Sequence, residues 1–237
     1  MPVRILIPVA PPRVGGELPA LRVLGGRSVL ARLLDTLASL GLPRPTLLAD
    51  RPTATTLRAA VAGDVAVQVV PAGDRLVRLR AALQADETLA HEDLLLIDAE
   101  RALTPSEVVQ AVLAQAASEP ELAAVVPVVP VTDSVKAAGG DGLRNVDRET
   151  LASVQHPRFL RAGWLDRAVS APPASTGASS AGPEEIARIL ALGGGVRMVP
   201  GSHSGFAVVD RLSLWQAQIA LGIARDTRGR HGLPHRG

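Results

Sequence analysis

The sequence predicts an α/β fold with a mostly parallel sheet and helices on both of its faces. Short apolar runs alternate with stretches of helical periodicity along most of the chain, the pattern of parallel strands joined by crossover helices. Hydrophobic residues make up 47% of the chain and aromatic residues only 2%, so the core must consist mainly of Ala, Val, Leu and Ile. These smaller side chains let helices pack closely on a sheet, and 237 residues suffice for one such domain.

The predicted elements follow each other in the order expected for such a fold. We predict a single domain over residues 1–224, in which Asp98 ends the fourth strand at the edge where open α/β sheets bind ligands. Small, polar and proline-containing residues predict a loop at 170–183, and the lack of apolar periodicity predicts a flexible tail at 225–237. The predicted strands are 3–9, 46–49, 66–70, 94–98 and 123–129; the predicted helices are 28–40, 53–62, 76–84, 105–117, 183–192 and 210–224.

Composition argues against several classes of function. The net charge is only +2, and the chain lacks the basic stripes and aromatic platforms that nucleic-acid binders use. The absence of cysteine excludes a disulfide framework and a thiolate zinc site, which is typical of a cytoplasmic protein. The apolar N-terminus is short and runs into prolines, so it predicts a buried strand and no membrane span. We therefore expect a cytoplasmic protein that binds neither nucleic acid nor membrane.

A first candidate for ligand binding is the loop that follows the first strand. Arg13, Gly15 and Gly16 lie in this loop, and a Leu-Gly-Gly helix entry follows. Glycine-rich turns before a helix can donate backbone N–H groups to phosphate. A tight surface turn that leads into a helix is the simpler explanation of the same residues, and the local pattern leaves phosphate binding open as the alternative.

The second candidate is the end of the fourth predicted strand, in the sequence LLLIDAERALTP. Asp98 could hold a magnesium ion, with Arg101 near an anion. An aspartate at this position could also simply cap a turn or the next helix. The local pattern does not decide between the two.

The third candidate surrounds Lys136, the one lysine of the chain. Ser134 lies two residues before it, and the same segment contains Asp133 and Arg148. A compact ammonium group presents charge differently from a guanidinium, which could explain why one lysine is kept among so many arginines. The alternative is a surface lysine without a role.

Order and spacing of these motifs resemble the 2-C-methyl-D-erythritol 4-phosphate cytidylyltransferase family, from about Arg4 to about Leu221. The family's Gly-rich loop and Leu-Gly-Gly entry are similar to VAPPRVGGELPAL followed by VLGG, and its Val-His-Asp-Ala-Ala-Arg-Pro resembles LLIDAERAL. Its Asp-Thr-x-Lys, Asp-Arg and Gln-Thr-Pro-Gln-Phe are matched in order by DSVK, DR and QHPRF. The three strings in one segment make this last match the most specific.

The resemblance implies a Rossmann-like nucleotidyltransferase fold that transfers CMP from CTP to 2-C-methyl-D-erythritol 4-phosphate, or a related sugar-alcohol phosphate, with Mg²⁺. It also implies a homodimer in which a protruding arm, about residues 137–157 here, reaches the partner's site. Carried over by position, Asp98 would bind Mg²⁺, and Arg13 and Lys136 would be catalytic. The resemblance places Val9, Ala10, Gly73 and Arg75 at the nucleotide, and Arg101, Ser134 and Arg148 at the phosphorylated acceptor.

The chain departs from the family pattern where phosphates are expected. Proline replaces loop residues at Pro11 and Pro12 and cannot donate an N–H, while Ala20 and Ala207 occupy positions where the family has lysine. Arg78 occupies a family serine position near the nucleotide.

Three functions follow from these departures: an enzyme with a rebuilt phosphate site, an enzyme with a changed substrate, or a catalytically silent homologue that serves as a binding or interaction protein. In an enzyme, Arg22, Arg27 or Arg78 could supply the missing positive charge.

Overall fold

The sheet and its helices are built from short elements of the kind that the sequence predicts. The computed structural model describes residues 3–12, 16–61, 63, 65–139, 142–171 and 183–223. Within them the strands are β1 Arg4–Pro8, β2 Val23–Leu24, β3 Arg27–Ser28, β4 Thr46–Ala49, β5 Ala66–Val69, β6 Leu94–Leu96, β7 Ala124–Pro130, β8 Val135–Gly139, β9 Gly142–Val146, β10 Ala152–Val154, β11 Arg158–Leu160 and β12 Val196–Pro200. The helices are α1 Val29–Ser39, α2 Arg51–Ala60, α3 Arg75–Ala85, α4 Ser106–Ser118, α5 Trp164–Ser170, α6 Glu184–Ala191 and α7 Arg211–Ala220.

The large sheet has the strand order β10-β7-β11-β6-β1-β4-β5, and β12 also pairs with β7. Strands β6, β1, β4 and β5 are mutually parallel, and β12 is parallel to β7. Strand β11 lies between β6 and β7 and is antiparallel to both, and β10 is antiparallel to β7. The predicted mostly parallel sheet is therefore confirmed, with antiparallel strands inserted on one side.

Alternation along the strands divides the apolar residues between two cores. Ile5 and Ile7 of β1 face a core formed with α1, α2 and α4, while Leu6 faces a second core formed with α3, α5 and α6. In β11, Phe159 belongs to the first core and Leu160 to the second. Side chains thus cover both faces of the sheet, as the near-continuous apolar runs predict.

The predicted strands and helices correspond to observed ones, with ends that differ by a few residues. Several short elements of the described chain had no counterpart in the prediction, among them α5, β10, β11 and β12. Strands β10 and β11 have three residues each, too short for a clear period of two, and β11 includes Arg158. The predicted loop at 170–183 and the predicted tail at 225–237 lie almost wholly outside the described residues.

Strands β8 and β9 form a separate two-stranded sheet, in which Lys136 pairs with Asn145. The two strands of this hairpin are Val135–Gly139 and Gly142–Val146, whereas the arm predicted from the resemblance extends over 137–157. Residues 152–154 instead return to the large sheet beside β7, where Val154 packs against the second core. None of the helices in the described part of the chain combines the length and apolar character needed to cross a bilayer.

Truncation of Phe159 tests how much the first core contributes to stability. We expect Phe159→Ala to lower the free energy of unfolding by about 3 to 5 kcal/mol, because the ring is fully buried and its removal leaves a cavity. Chemical denaturation measures the change. Leu190→Ala, which truncates a 56% exposed side chain on α6, is the control and should change stability by less than about 0.5 kcal/mol. Similar losses in both variants would contradict this assignment of the core.

Candidate active site

A cavity of about 300 Å³ opens at the edge of the sheet beyond the carboxyl end of β6. The start of α3, the turn after β6, the segment around β10 and β11, and the start of α6 contribute its walls. Open α/β sheets bind ligands at this edge. The residues that line the cavity are Asp74, Arg75, Leu76, Asp98, Arg101, Val154, His156, Arg158, Pro183, Glu184 and Glu185.

Arg75 lies at the first position of α3 and points from it into the cavity wall. The side chain of Asp74 caps the helix by accepting the backbone N–H of Val77 at 2.9 Å, which fixes where α3 begins. Arg75 Nη2 lies 2.5 Å from Asp98 Oδ1, and the Arg75 side chain keeps 29% of its surface exposed. The cavity therefore presents a guanidinium that a buried carboxylate holds in place.

His156 and Arg158 lie below this pair, at the bend that leads into β11 and at the first residue of that strand. Arg158 is on the same side of β11 as Leu160, which belongs to the core under α3, α5 and α6. Arg158 Nη1 lies 2.7 Å from Glu185 Oε1 of α6, and both side chains are 1% exposed. His156 Nε2 lies 2.9 Å from Asp98 Oδ2 and 2.7 Å from Arg158 Nη2. Two carboxylates and three nitrogen-bearing side chains thus form one cluster.

The charge of Asp98 is stabilised by its neighbours. Burial by itself would raise the pKa of this carboxyl group, but His156 and Arg75 together hold the pKa well below its usual range. Asp98 is therefore ionised at all physiological pH values, and its negative charge is balanced within the protein.

The described residues do not fit the magnesium site expected at Asp98. Magnesium requires oxygen ligands in near-octahedral geometry at about 2.0 to 2.1 Å. Each carboxylate oxygen of Asp98 already lies within hydrogen-bonding distance of a nitrogen, one on Arg75 and one on His156. Within the part of the chain that the structure describes, no group of three or more His, Cys, Asp or Glu side chains could hold a metal ion.

The predicted acceptor-binding residues are divided between two places. Arg101 lines the cavity and donates from Nη1 to the carbonyl oxygen of Gly205 at 2.5 Å. Ser134 and Lys136 are exposed at the hairpin, and Arg148 donates from Nη1 to the carbonyl oxygen of Thr132 at 3.1 Å. These three residues do not line the cavity of their own chain. The structure therefore does not bring Lys136 together with Asp98 within one chain.

The predicted nucleotide-binding residues lie beside the cavity, at the ends of β1 and at the start of α3. Gly73 precedes the capping residue of α3 and has a φ of 155°, a conformation that favours glycine. Val9 is buried, and its carbonyl oxygen accepts from Arg78 Nη1, while Ala10 is exposed. Arg13 lies outside the described residues.

Of the three arginines that could replace the missing charge, each has a different environment. Arg27 is exposed and paired with Asp35 at 2.9 Å, away from the cavity, so it does not compensate there. Arg78 is 6% exposed and bonded to Val9, which places its charge beneath the end of β1. Arg22 is half-buried, and its Nη1 has no hydrogen-bond partner among the described residues. Arg78 is thus the candidate nearest to the predicted nucleotide residues.

Glu100 is a buried carboxyl group that the sequence analysis did not single out. It is 4% exposed and accepts the backbone N–H of Ala10, while its Oε1 has no hydrogen-bond partner among the described residues. Burial, and then the charge of Asp98, raise the pKa of Glu100 to about 7. An acidic residue after an apolar strand was visible in the sequence, but its burial could not be inferred without the loop that covers it.

Comparisons with known proteins agree on one family. The sequence profile of the 2-C-methyl-D-erythritol 4-phosphate cytidylyltransferase family matches residues 4–222. The protein of that name from Frankia casuarinae is 32% identical over 232 residues, which cover 91% of this chain and 84% of the relative. The one from Rhodococcus jostii is 30% identical and covers 93% of this chain and 95% of the relative.

Solved structures show the same fold. The 2-C-methyl-D-erythritol 4-phosphate cytidylyltransferase from Thermus thermophilus superposes with a TM-score of 0.69 at 24% identity and covers 94% of this chain and 100% of that one. The 4-diphosphocytidyl-2C-methyl-D-erythritol synthase from Anaerococcus prevotii superposes with a TM-score of 0.72 at 16% identity, with 93% and 98% coverage. The predicted Rossmann-like nucleotidyltransferase fold is confirmed.

Glu100 gives a test of the electrostatics beside the cavity. Because its pKa rises from 4.5 to about 7 on folding, its neutral form contributes stability below about pH 4.5, and this is lost as the pH rises toward 7. We expect Glu100→Gln to raise the free energy of unfolding by about 2 kcal/mol more at pH 8 than at pH 5, since one pKa unit corresponds to about 1.4 kcal/mol. Denaturant titrations at both pH values measure this difference. The exposed Glu17→Gln is the control, and an equal gain at both pH values would refute the assignment.

Proposed function

The chain belongs to the 2-C-methyl-D-erythritol 4-phosphate cytidylyltransferase family, and we propose that it transfers CMP from CTP to 2-C-methyl-D-erythritol 4-phosphate in isoprenoid precursor synthesis. An oxygen of the acceptor phosphate would attack the α-phosphorus of CTP. The bond from this phosphorus to the bridging oxygen would break, and pyrophosphate would leave. The observation that carries the proposal is the cavity beyond β6, into which Arg75 and Arg101 both open, in a chain that matches the family over nearly its whole length.

This chemistry requires positive charge more than proton transfer. Negative charge grows on the phosphate oxygens in the transition state, and preorganised cations stabilise it without having to reorient. Arg75 is held by Asp98, and Arg101 by the carbonyl oxygen of Gly205, so both are fixed before a ligand binds. Both substrates are multiply charged and do not cross an apolar bilayer unaided, which supports a cytoplasmic location.

We propose that the hairpin residues act in a dimer, at the cavity of the other chain. These residues are Ser134, Lys136 and Arg148. They lie on or beside the hairpin and outside the cavity of their own chain. In a two-fold dimer, the hairpin of one chain can reach the cavity of the other, as the family resemblance implies. We therefore propose a homodimer in which Lys136 of the partner subunit completes the phosphate site.

A catalytically silent, nucleotide-binding homologue is the second candidate. Ala20 is fully buried and uncharged where the family pattern has lysine, and Pro11 and Pro12 offer no N–H to a phosphate. This candidate predicts binding of CTP without turnover.

The direct test is release of pyrophosphate from CTP and 2-C-methyl-D-erythritol 4-phosphate by the full-length protein. A thermal-shift titration with CTP measures binding separately, because a ligand that binds only the folded state raises the melting temperature. Turnover supports the enzyme. Binding without turnover supports the silent homologue or a different acceptor phosphate, and no stabilisation at millimolar CTP contradicts both.

The proposed role of Lys136 predicts how its removal changes the catalytic rate. We expect Lys136→Ala to lower kcat/KM by about 100-fold, the usual effect of losing one cation at a developing negative charge. Arg144→Ala is the matched control: it removes a positive charge from the same hairpin, one register position away and hence on the opposite face. We expect it to change kcat/KM by less than about threefold. Equal effects of the two substitutions would indicate a general effect of arm charge and not a specific contact.

The shared site can be tested by mixing two inactive variants. One carries Lys136→Ala and keeps an intact cavity, and the other carries Arg101→Gln and keeps an intact arm. If the arm acts across the dimer, each mixed dimer has one complete site, and unfolding and refolding an equal mixture should restore roughly a quarter of the wild-type activity per total protein. If Lys136 acts in its own chain, mixing restores nothing. Sedimentation measures the dimer independently of activity.

A further inference from the structure

We propose that the cavity binds no divalent cation at Asp98, because Arg75, His156 and Arg158 occupy the place of the metal, and that Asp98 is a positioning residue for Arg75. This inference extends the proposed function by assigning how the charges of the cavity are balanced. It rests on the ion pairs beneath the cavity and not on which acceptor is used.

The contacts of Asp98 leave neither of its oxygens without a nitrogen partner. Its two oxygens lie 2.5 Å from Arg75 Nη2 and 2.9 Å from His156 Nε2. An ion bound to either oxygen would have to displace that nitrogen or lie close to a guanidinium of the same charge sign. Like charges at such short range repel strongly in a site that is mostly withdrawn from water.

Charge balance leads to the same conclusion. Arg75 and Arg158 carry two positive charges, and Asp98 and Glu185 carry two negative charges, so these four side chains already balance one another. Arg158 and Glu185 lie 2.7 Å apart and are almost fully buried, and Arg75 Nη1 lies 3.8 Å from the same Glu185 oxygen. A divalent ion would add two uncompensated charges to this buried group.

The other carboxylates at the cavity also have partners. Glu184 Oε1 lies 2.5 Å from Arg188 Nη2, and Asp74 caps α3. A magnesium ion drawn to either carboxylate would compete with a contact that orders α6 or α3. Magnesium at a nucleotide typically uses only one or two carboxylates, so the contacts of Asp98 itself decide whether the ion can bind there.

Two of the residues that fill the site lie at positions where this chain differs from the family pattern. In QHPRF, His156 occupies the position of the family's threonine, and Arg158 occupies that of its second glutamine. Both are buried and both contact the carboxylate cluster. Two substitutions in one short segment thus supply nitrogen donors and positive charge directly beneath Asp98.

Direct metal binding tests the inference on the protein alone. Electron paramagnetic resonance of Mn²⁺, added without nucleotide, should show no bound ion in the wild type up to about 1 mM. The variant His156→Thr/Arg158→Gln frees Asp98 Oδ2 from His156 and Glu185 Oε1 from Arg158, so we expect it to bind Mn²⁺ at least tenfold more tightly, and Asp98→Asn in that background should abolish the gain. Submillimolar Mn²⁺ binding by the wild type that Asp98→Asn removes would overturn the inference.

Two further variants keep the metal test decisive. His156→Thr alone leaves the Arg158–Glu185 pair in place and serves if the double variant does not fold, which circular dichroism reports. Arg4→Gln frees the surface carboxylate of Glu92, whose partner lies 2.8 Å away, and should create no Mn²⁺ site. A folded His156→Thr protein that gains no more Mn²⁺ affinity than Arg4→Gln would contradict the proposal.

The positioning role of Asp98 has its own readout. We expect Asp98→Asn to weaken CTP binding by about tenfold in EDTA and by the same factor in Mg²⁺, since it loosens Arg75 and not a metal. Asp98→Glu, which keeps the charge, should recover part of the affinity. A loss seen only with Mg²⁺ would instead assign Asp98 to a metal. Wild-type protein that fails to bind CTP counts against the proposed function, while the Mn²⁺ result still decides this inference.

Discussion

Arg158 of β11 and Glu185 of α6 are buried against each other at 2.7 Å, and the geometry of the cavity depends on this pair. Burying two charges is costly, and removing one partner typically costs about 3 to 5 kcal/mol because the other is left uncompensated. The pair therefore constrains where α6 can lie on the sheet. The start of α6 lines the cavity together with the start of α3, and Glu185 also lies 3.8 Å from Arg75, so the same pair helps fix the walls around Arg75.

The antiparallel strand β11 makes this arrangement possible. It is inserted between β6 and β7, so its residues lie beside the carboxyl end of β6, where Asp98 follows. Its alternation sends Phe159 into one core and Arg158 toward the other. Arg158 can be fully buried here because Glu185 of α6 provides a carboxylate for its guanidinium and His156, just before the strand, lies within hydrogen-bonding distance.

The sequence predicts the fold better than the site. Parallel strands such as β1 and β4 are apolar on both faces, and this pattern survives in a single sequence, as do the capping aspartates and serine that begin α1, α2 and α3. Strand β11 is not predictable in this way because Arg158 interrupts its apolar pattern. Asp98 and Arg101, which the resemblance assigns to the site, both line the cavity at one sheet edge. The resemblance could not show that His156 and Arg158 pair with the acidic residues, because such pairing depends on contacts between segments distant in the chain.

The sequence also could not predict which copy of the chain brings Lys136 to the site. A single chain places its hairpin outside its own cavity, so a pattern that links Lys136 to Asp98 by order in the sequence says nothing about which copy supplies it. The origin of Lys136 matters because the cavity of one chain contains little positive charge that is not already paired. A guanidinium carries half the charge of Mg²⁺, and Arg75 shares its charge with Asp98, so one arginine cannot balance a triphosphate by itself. Arg101 adds a second charge, and in the proposed dimer Lys136 of the partner subunit would add a third. If the cavity binds no metal at Asp98, this contribution matters more for the charge balance, and CMP transfer would depend on the proposed dimer.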